Sequence, residues 1–245
     1  MTISTLKTLA AVVGLAVLGG AAQAALVDRG GGLIYDSTRN ITWLADMNYA
    51  KTSGYSSTGY LSWQEANQWA ADLVYAGYSD WRLPKSNPDD TSCSESSDPP
   101  GFPTQHFGKN CTGSELSGLF VADLGNKELE SVLDQTGDTP EQIANLALFK
   151  NVAGADYYWS GTEYAPDTGS AWYFDTGLGD QYYLEKFTSF FALAVRDGDV
   201  AAAVPEPQTL ALALIALGGL GAVGRRRPSA ESACAGRETA NGSAK

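Results

Sequence analysis

Ala171-Trp172-Tyr173-Phe174 and Gln181-Tyr182-Tyr183-Leu184, separated by the Gly/Asp turn of residues 175–180, carry the reading of the fold. Both runs consist largely of aromatic β-formers, and the residues between them are turn formers, so the pair reads as an antiparallel hairpin. Tyr157-Tyr158-Trp159-Ser160 upstream and residues 190–196 downstream have the same character and extend the hairpin to a meander. Working outward, the first part of the domain is mixed. Leu33-Ile34-Tyr35-Asp36 and Asn40-Ile41-Thr42-Trp43-Leu44 flank the turn residues 37–40 and predict another hairpin.

Helices are predicted between these β regions. Ser62 with Glu65 three residues on forms a capping box, in which each side chain satisfies the other's backbone donor. Trp63, Ala66, Ala70, Leu73 and Gly77 follow at helical spacing, with Gly77 as the stop. Residues 114–124, 128–133 and 140–149 read as further helices, the last capped by Thr139. Trp81 and Leu83 alternate with Asp80 and Arg82 as in a short strand, and residues 86–110 form a long Ser/Pro/Asp/Gly-rich loop. Early helices and a late antiparallel meander argue for an α+β fold, with two to three helices expected among these four candidate segments.

The chain has 245 residues and a formal net charge of -12. Residues 25–203 carry 25 acidic against 10 basic side chains. Such a surface repels phosphate backbones and excludes nucleic acid as a partner. The single histidine, His106, lies in the long loop; one histidine cannot build a His-rich zinc site, and nothing around it suggests a Ser-His-Asp triad. No pair of carboxylates is fixed by the sequence at a glycosidase separation. The reading is therefore non-enzymatic, with a glycan-acting enzyme or a passive coat component as alternatives.

The two ends carry an itinerary. Lys7, the apolar run 8–20 and Ala22-Gln23-Ala24 make a secretory signal peptide over residues 1–24, leaving Ala25 as the mature N-terminus. Export favours a disulfide between Cys93 and Cys111, which would pin the long loop; Cys234 stays unpaired. Pro205-Glu206-Pro207, an apolar stretch over 210–223 and Arg225-Arg226-Arg227 follow the domain. This order resembles the PEP-CTERM sorting signal over residues 201–228, which implies a C-terminal transmembrane helix and recognition by exosortase, a membrane-embedded transpeptidase. Residues 229–245 read as a polar disordered tail. The resemblance implies an exported protein of the periplasm, outer surface or extracellular matrix, associated with exopolysaccharide and biofilm.

The domain itself, residues 25–200, has a second likeness. The block Gly77-Tyr78-Ser79-Asp80-Trp81-Arg82-Leu83-Pro84 precedes Tyr158-Trp159-Ser160-Gly161-Thr162-Glu163, then Ala171-Trp172 and Ala194-Val195-Arg196. In this order they resemble the Lcl C-terminal domain family, named for a collagen-like adhesin. The resemblance implies a single C-type-lectin-like domain and adhesion to glycans. The clustered Lys and Arg of a sulfated-polymer site are missing here, as are the calcium-binding sugar motifs of C-type lectins. Tyr157, Trp172, Tyr173, Tyr182 and Tyr183 are the candidate ligand-binding residues, since aromatic faces suit sugar stacking. Asp89, Asp90 and Asp98 are the candidate calcium ligands.

Overall fold

The computed structural model describes residues 26–200. The chain divides into two units, Met1–Ala203 and Val204–Lys245, and the second lies outside the described residues. So do the signal peptide, the sorting motif and the expected transmembrane helix over 210–223.

The strands are β1 (Leu26–Gly30), β2 (Leu33–Asp36), β3 (Ile41–Leu44), β4 (Glu95–Ser97), β5 (Gln105–Lys109), β6 (Tyr157–Glu163), β7 (Ser170–Asp175), β8 (Asp180–Glu185) and β9 (Val195–Asp197). They form two antiparallel sheets, ordered β1-β2-β3-β9 and β4-β5-β8-β7-β6. The helices are short: α1 (Tyr49–Thr52), α2 (Trp63–Asp72), α3 (Glu115–Ser117), which runs into a π-helix at Gly118–Asp123, and α4 (Pro140–Leu146). The fold is thus mostly β. This corrects the α+β, C-type-lectin-like expectation, and the cause lies in strands that local pattern does not show. Among the described residues no helix is long and apolar enough to cross a membrane, so the expectation of a transmembrane helix gains nothing from the structure.

Three expected elements change. Helix α2 ends at Asp72, short of the expected stop at Gly77, because Leu73 turns extended and Tyr75 and Tyr78 exchange both backbone hydrogen bonds. Ala76 and Gly77, the pair between them, have φ of 51° and 85°, the left-handed geometry of a two-residue turn. Residues 128–133 are not helical. The amides of Leu129 and Val132 instead bond to the carbonyls of Leu178 and Thr176, so tertiary pairing overrides helical propensity. The 81–83 segment contributes only a bridge between Arg82 and Val195.

The core has two main parts on opposite sides of β6. Alternation sends consecutive strand residues to opposite faces. Tyr158 therefore packs with Trp43, Phe120 and Phe174 on one side. Trp159 packs on the other with Ala66, Trp69 and Ala70 of α2 and with Trp81. The capping box at Ser62 and Glu65 is present and sets where α2 starts. The apolar stripe of that helix then seats it over the second sheet.

Candidate functional site

The register of the second sheet places the site. Tyr157 pairs with Asp175, Asp175 with Asp180, and Asp180 with Lys109. Two residues along, Trp159 pairs with Tyr173 and Tyr173 with Tyr182. Directly paired residues share a face, and so do residues two apart. Tyr157, Asp175, Asp180, Tyr173 and Tyr182 therefore occupy one face of the sheet in two adjacent rows. The rings of Tyr157 and Tyr173 meet edge to face at 5.4 Å, and Phe190 packs against both.

Of the five aromatic residues expected to bind ligand, Tyr157 and Tyr173 come together on this face; Tyr182 shares the register row of Tyr173, but its ring packs on Phe107 at 4.9 Å and against the Trp172 cluster. Trp172 and Tyr183 are a direct pair on the opposite face. Trp172 is fully buried beside Phe107 and Tyr164, and Tyr183 stacks on Tyr164 at 3.6 Å. Tyr157 is exposed, at 37%, whereas Tyr173 and Tyr182 are half-buried.

The electrostatics of this face are unbalanced. Burial raises the Asp180 carboxyl to about 6, with further repulsion from Asp175, while Lys109 acts in the opposite sense. Lys109 is itself engaged by Glu128 at 2.5 Å. Burial also raises Asp175, although the amides of Gly177 and Leu178 donate to it. The negative charge of Asp175 is the main cause of a raised Tyr157 phenol, and burial is the main cause for Tyr173. The site thus combines aromatic surface with carboxylates that lack full compensation. In the sequence Asp175 and Asp180 read only as turn residues. Their position at both ends of a short turn between two strands is the signal that pairs them across the sheet.

The acidic residues expected to chelate calcium are not gathered. Asp90 is buried and accepts from the Ser92, Thr112 and Gly113 amides and the Ser92 hydroxyl, which occupies both of its oxygens. Asp98 accepts from the Thr104 hydroxyl, and Asp89 is exposed. Among the described residues, the one group of three ligand-type atoms within 4.8 Å is Asp90 with Cys93 and Cys111. Those two sulfurs are bonded to each other as the expected disulfide. Arg82 forms a bidentate pair with Glu115 and reaches Asp197, and Trp81 is buried, so this segment holds the fold together.

Residues 203–227 match the PEP-CTERM protein-sorting motif. The match marks the chain as an exported protein recognised by exosortase, and covers Pro205, Glu206, Pro207, Arg225, Arg226 and Arg227. The resemblance to the Lcl C-terminal domain family has no support in this comparison. No curated protein matches the chain.

Proposed function

We propose that this exosortase-sorted surface protein uses the Tyr157–Tyr173–Asp180 face to hold an extracellular polysaccharide that carries free amino groups, without chemical turnover. The observation that supports this reading is the undercompensated Asp180 beside two tyrosines. A carboxylate partly withdrawn from water gains when a cation approaches, and aromatic rings attract both ammonium groups and the apolar C–H faces of sugars. The acidic surface of the domain favours the same sign of ligand and disfavours sulfated polymers.

The test is calorimetric titration of the purified 25–203 fragment with a glucosamine hexamer, its fully N-acetylated counterpart and heparin at pH 6.5, where the sugar amines carry charge. The expected result is binding of the free-amine oligomer, weakened about tenfold by Asp180→Asn or Tyr157→Ala, with no heparin binding. Affinity for the acetylated oligomer that equals that for the free-amine one and falls equally with Asp180→Asn or Tyr157→Ala, or tight binding of heparin, overturns the reading. Release of reducing ends during incubation would favour the enzymatic alternative.

A further inference from the structure

Helix α2 carries a second surface with a different chemistry. Its buried stripe is Ala66, Trp69 and Ala70. On its outer side, Gln64, Asn67 and Gln68 stand three and four residues apart and so share one face. Together with Trp63, Trp81 and Arg82 they line a groove of about 600 Å³, which lies in the ordinary size range of small-ligand sites.

Three features define what this groove can hold. First, its charges are spent. Arg82, the one charged residue in the lining, is held by Glu115 and Asp197, and Gln68 turns its amide at 2.7 Å onto Asp72, which is not in the lining. Second, its amides retain free hydrogen-bonding capacity. Gln64 makes no side-chain hydrogen bond among the described residues. Asn67 spends one N–H on the Trp63 carbonyl at 2.8 Å and keeps its oxygen free. Third, the Trp63 ring is fixed in place. Its Nε1 donates to the Ser160 carbonyl at 2.8 Å, and the Lys186 ammonium stands 4.2 Å from its centroid. Lys186 itself is not part of the groove lining.

We infer that this groove is a binding site for a neutral saccharide. Hydroxyl groups both donate and accept, as do the free amides of Gln64 and Asn67, and the indole offers a plate for the apolar face of a sugar ring. A ligand with net charge would meet no free partner here. An extended peptide would want an unpaired strand edge, whereas one wall here is made of helix side chains and the extended Trp81–Leu83 wall already spends the Arg82 amide and carbonyl on Val195. The site is independent of the Tyr157 face and survives if that reading fails.

The experiment titrates the 25–203 fragment with maltohexaose, cellohexaose and the N-acetylglucosamine hexamer, followed by tryptophan fluorescence and calorimetry. At least one of these is expected to bind with a fluorescence change. The double substitution Gln64→Ala, Asn67→Ala should weaken that binding about tenfold or more, the loss of two net hydrogen bonds, while Tyr157→Ala leaves it unchanged. Circular dichroism melting verifies that each variant folds, and Gln64→Glu alone, at an exposed position, provides a second variant that should also weaken binding. Failure of all three oligosaccharides to bind at millimolar concentration overturns the inference. Binding that survives the double substitution overturns it as well.

Discussion

Asp175 and Asp180 face each other across the closing pair of the β7–β8 hairpin, and they are held differently. The Asp175 carboxylate accepts from the Gly177 amide at 2.7 Å and the Leu178 amide at 3.1 Å. Among the described residues none donates a hydrogen bond to the Asp180 side chain, and its carboxyl is the one raised to about 6. Two like charges on neighbouring strands destabilise one another unless something neutralises them. The turn amides do so in part for Asp175, although burial still raises its carboxyl. For Asp180 the remedy is a proton or an external cation.

The pH dependence follows from that asymmetry. The carboxyl titrates at about 6 in the folded protein and near 3.9 when unfolded. Between those values the folded state binds more protons than the unfolded one, so this group's contribution to stability falls as pH rises. Its ionisation costs the fold fully above about pH 6 and nothing below the unfolded value of about 4. Asp180→Asn should therefore raise the melting temperature at pH 7.5 and leave it unchanged near pH 4. Melting of both proteins across that range checks this. An Asp180→Asn effect that is constant with pH would show that burial, and not charge, governs the site.

Arg82 should matter for stability. It ties the segment after α2 to α3 through Glu115 and to β9 through Asp197. Its pairing with Asp197 holds that carboxyl below its ordinary range. Arg82→Gln leaves the half-buried Glu115 without its cation. The expected cost is about 2 kcal/mol, below the range for fully buried pairs because these groups retain some solvent. In a domain of this size that is a fall of roughly 6 °C in Tm. Differential scanning calorimetry of the variant measures it, and a fall under about 1 °C would refute it.

Parts of this architecture are legible in local sequence and parts are not. The hairpins at β2–β3 and β7–β8 declare themselves through aromatic and β-branched runs around turn residues. The start of α2 is declared by Ser62 and Glu65. Strands β4 and β5 are hidden, because Glu95-Ser96-Ser97 and Gln105-His106-Phe107-Gly108-Lys109 have loop-like composition. They are strands because β5 adds to β8 and β4 adds to β5, beside the disulfide that closes the loop. Pairing as distant in sequence as Gly108 with Gln181 leaves no trace in a short window. The site is legible to a similar degree. Alternation separates Tyr157, Tyr173 and Tyr182 from Trp172 and Tyr183 only once the register is known, and the roles of Asp175 and Asp180 need the same knowledge.

The long loop is pinned twice, by Cys93–Cys111 and by the buried Asp90 carboxylate. Removing the disulfide with Cys93→Ser, Cys111→Ser should cost about 3 kcal/mol in the chain-entropy account. The loosening should be local. Amides of residues 86–112 should exchange faster while those of the β7–β8 hairpin stay protected, because that hairpin is fixed by its own ladder and by Phe174 in the core. Hydrogen exchange resolves the two regions, and equal loss of protection in both would refute local pinning.

Sorting and folding should separate at Glu206. The described fold closes just before the motif: Arg29 of β1 binds Asp199 through Nε at 2.9 Å, and Val200 is buried in the core. The sorting match begins at residue 203 and contains Glu206 between two prolines. Every contact described above lies within residues 26–200. Glu206→Ala should therefore leave the domain's melting temperature unchanged, whereas in a host that carries exosortase the unprocessed precursor should accumulate. Asp199→Ala supplies the converse, lowering stability through loss of the Arg29 pair while the motif stays intact. Immunoblotting of cell fractions with antibody to the 26–200 region follows both proteins. Normal processing of Glu206→Ala would mean that exosortase recognises this chain without the acidic residue of the motif, and would break the link drawn between the match at 203–227 and the sorting of this domain.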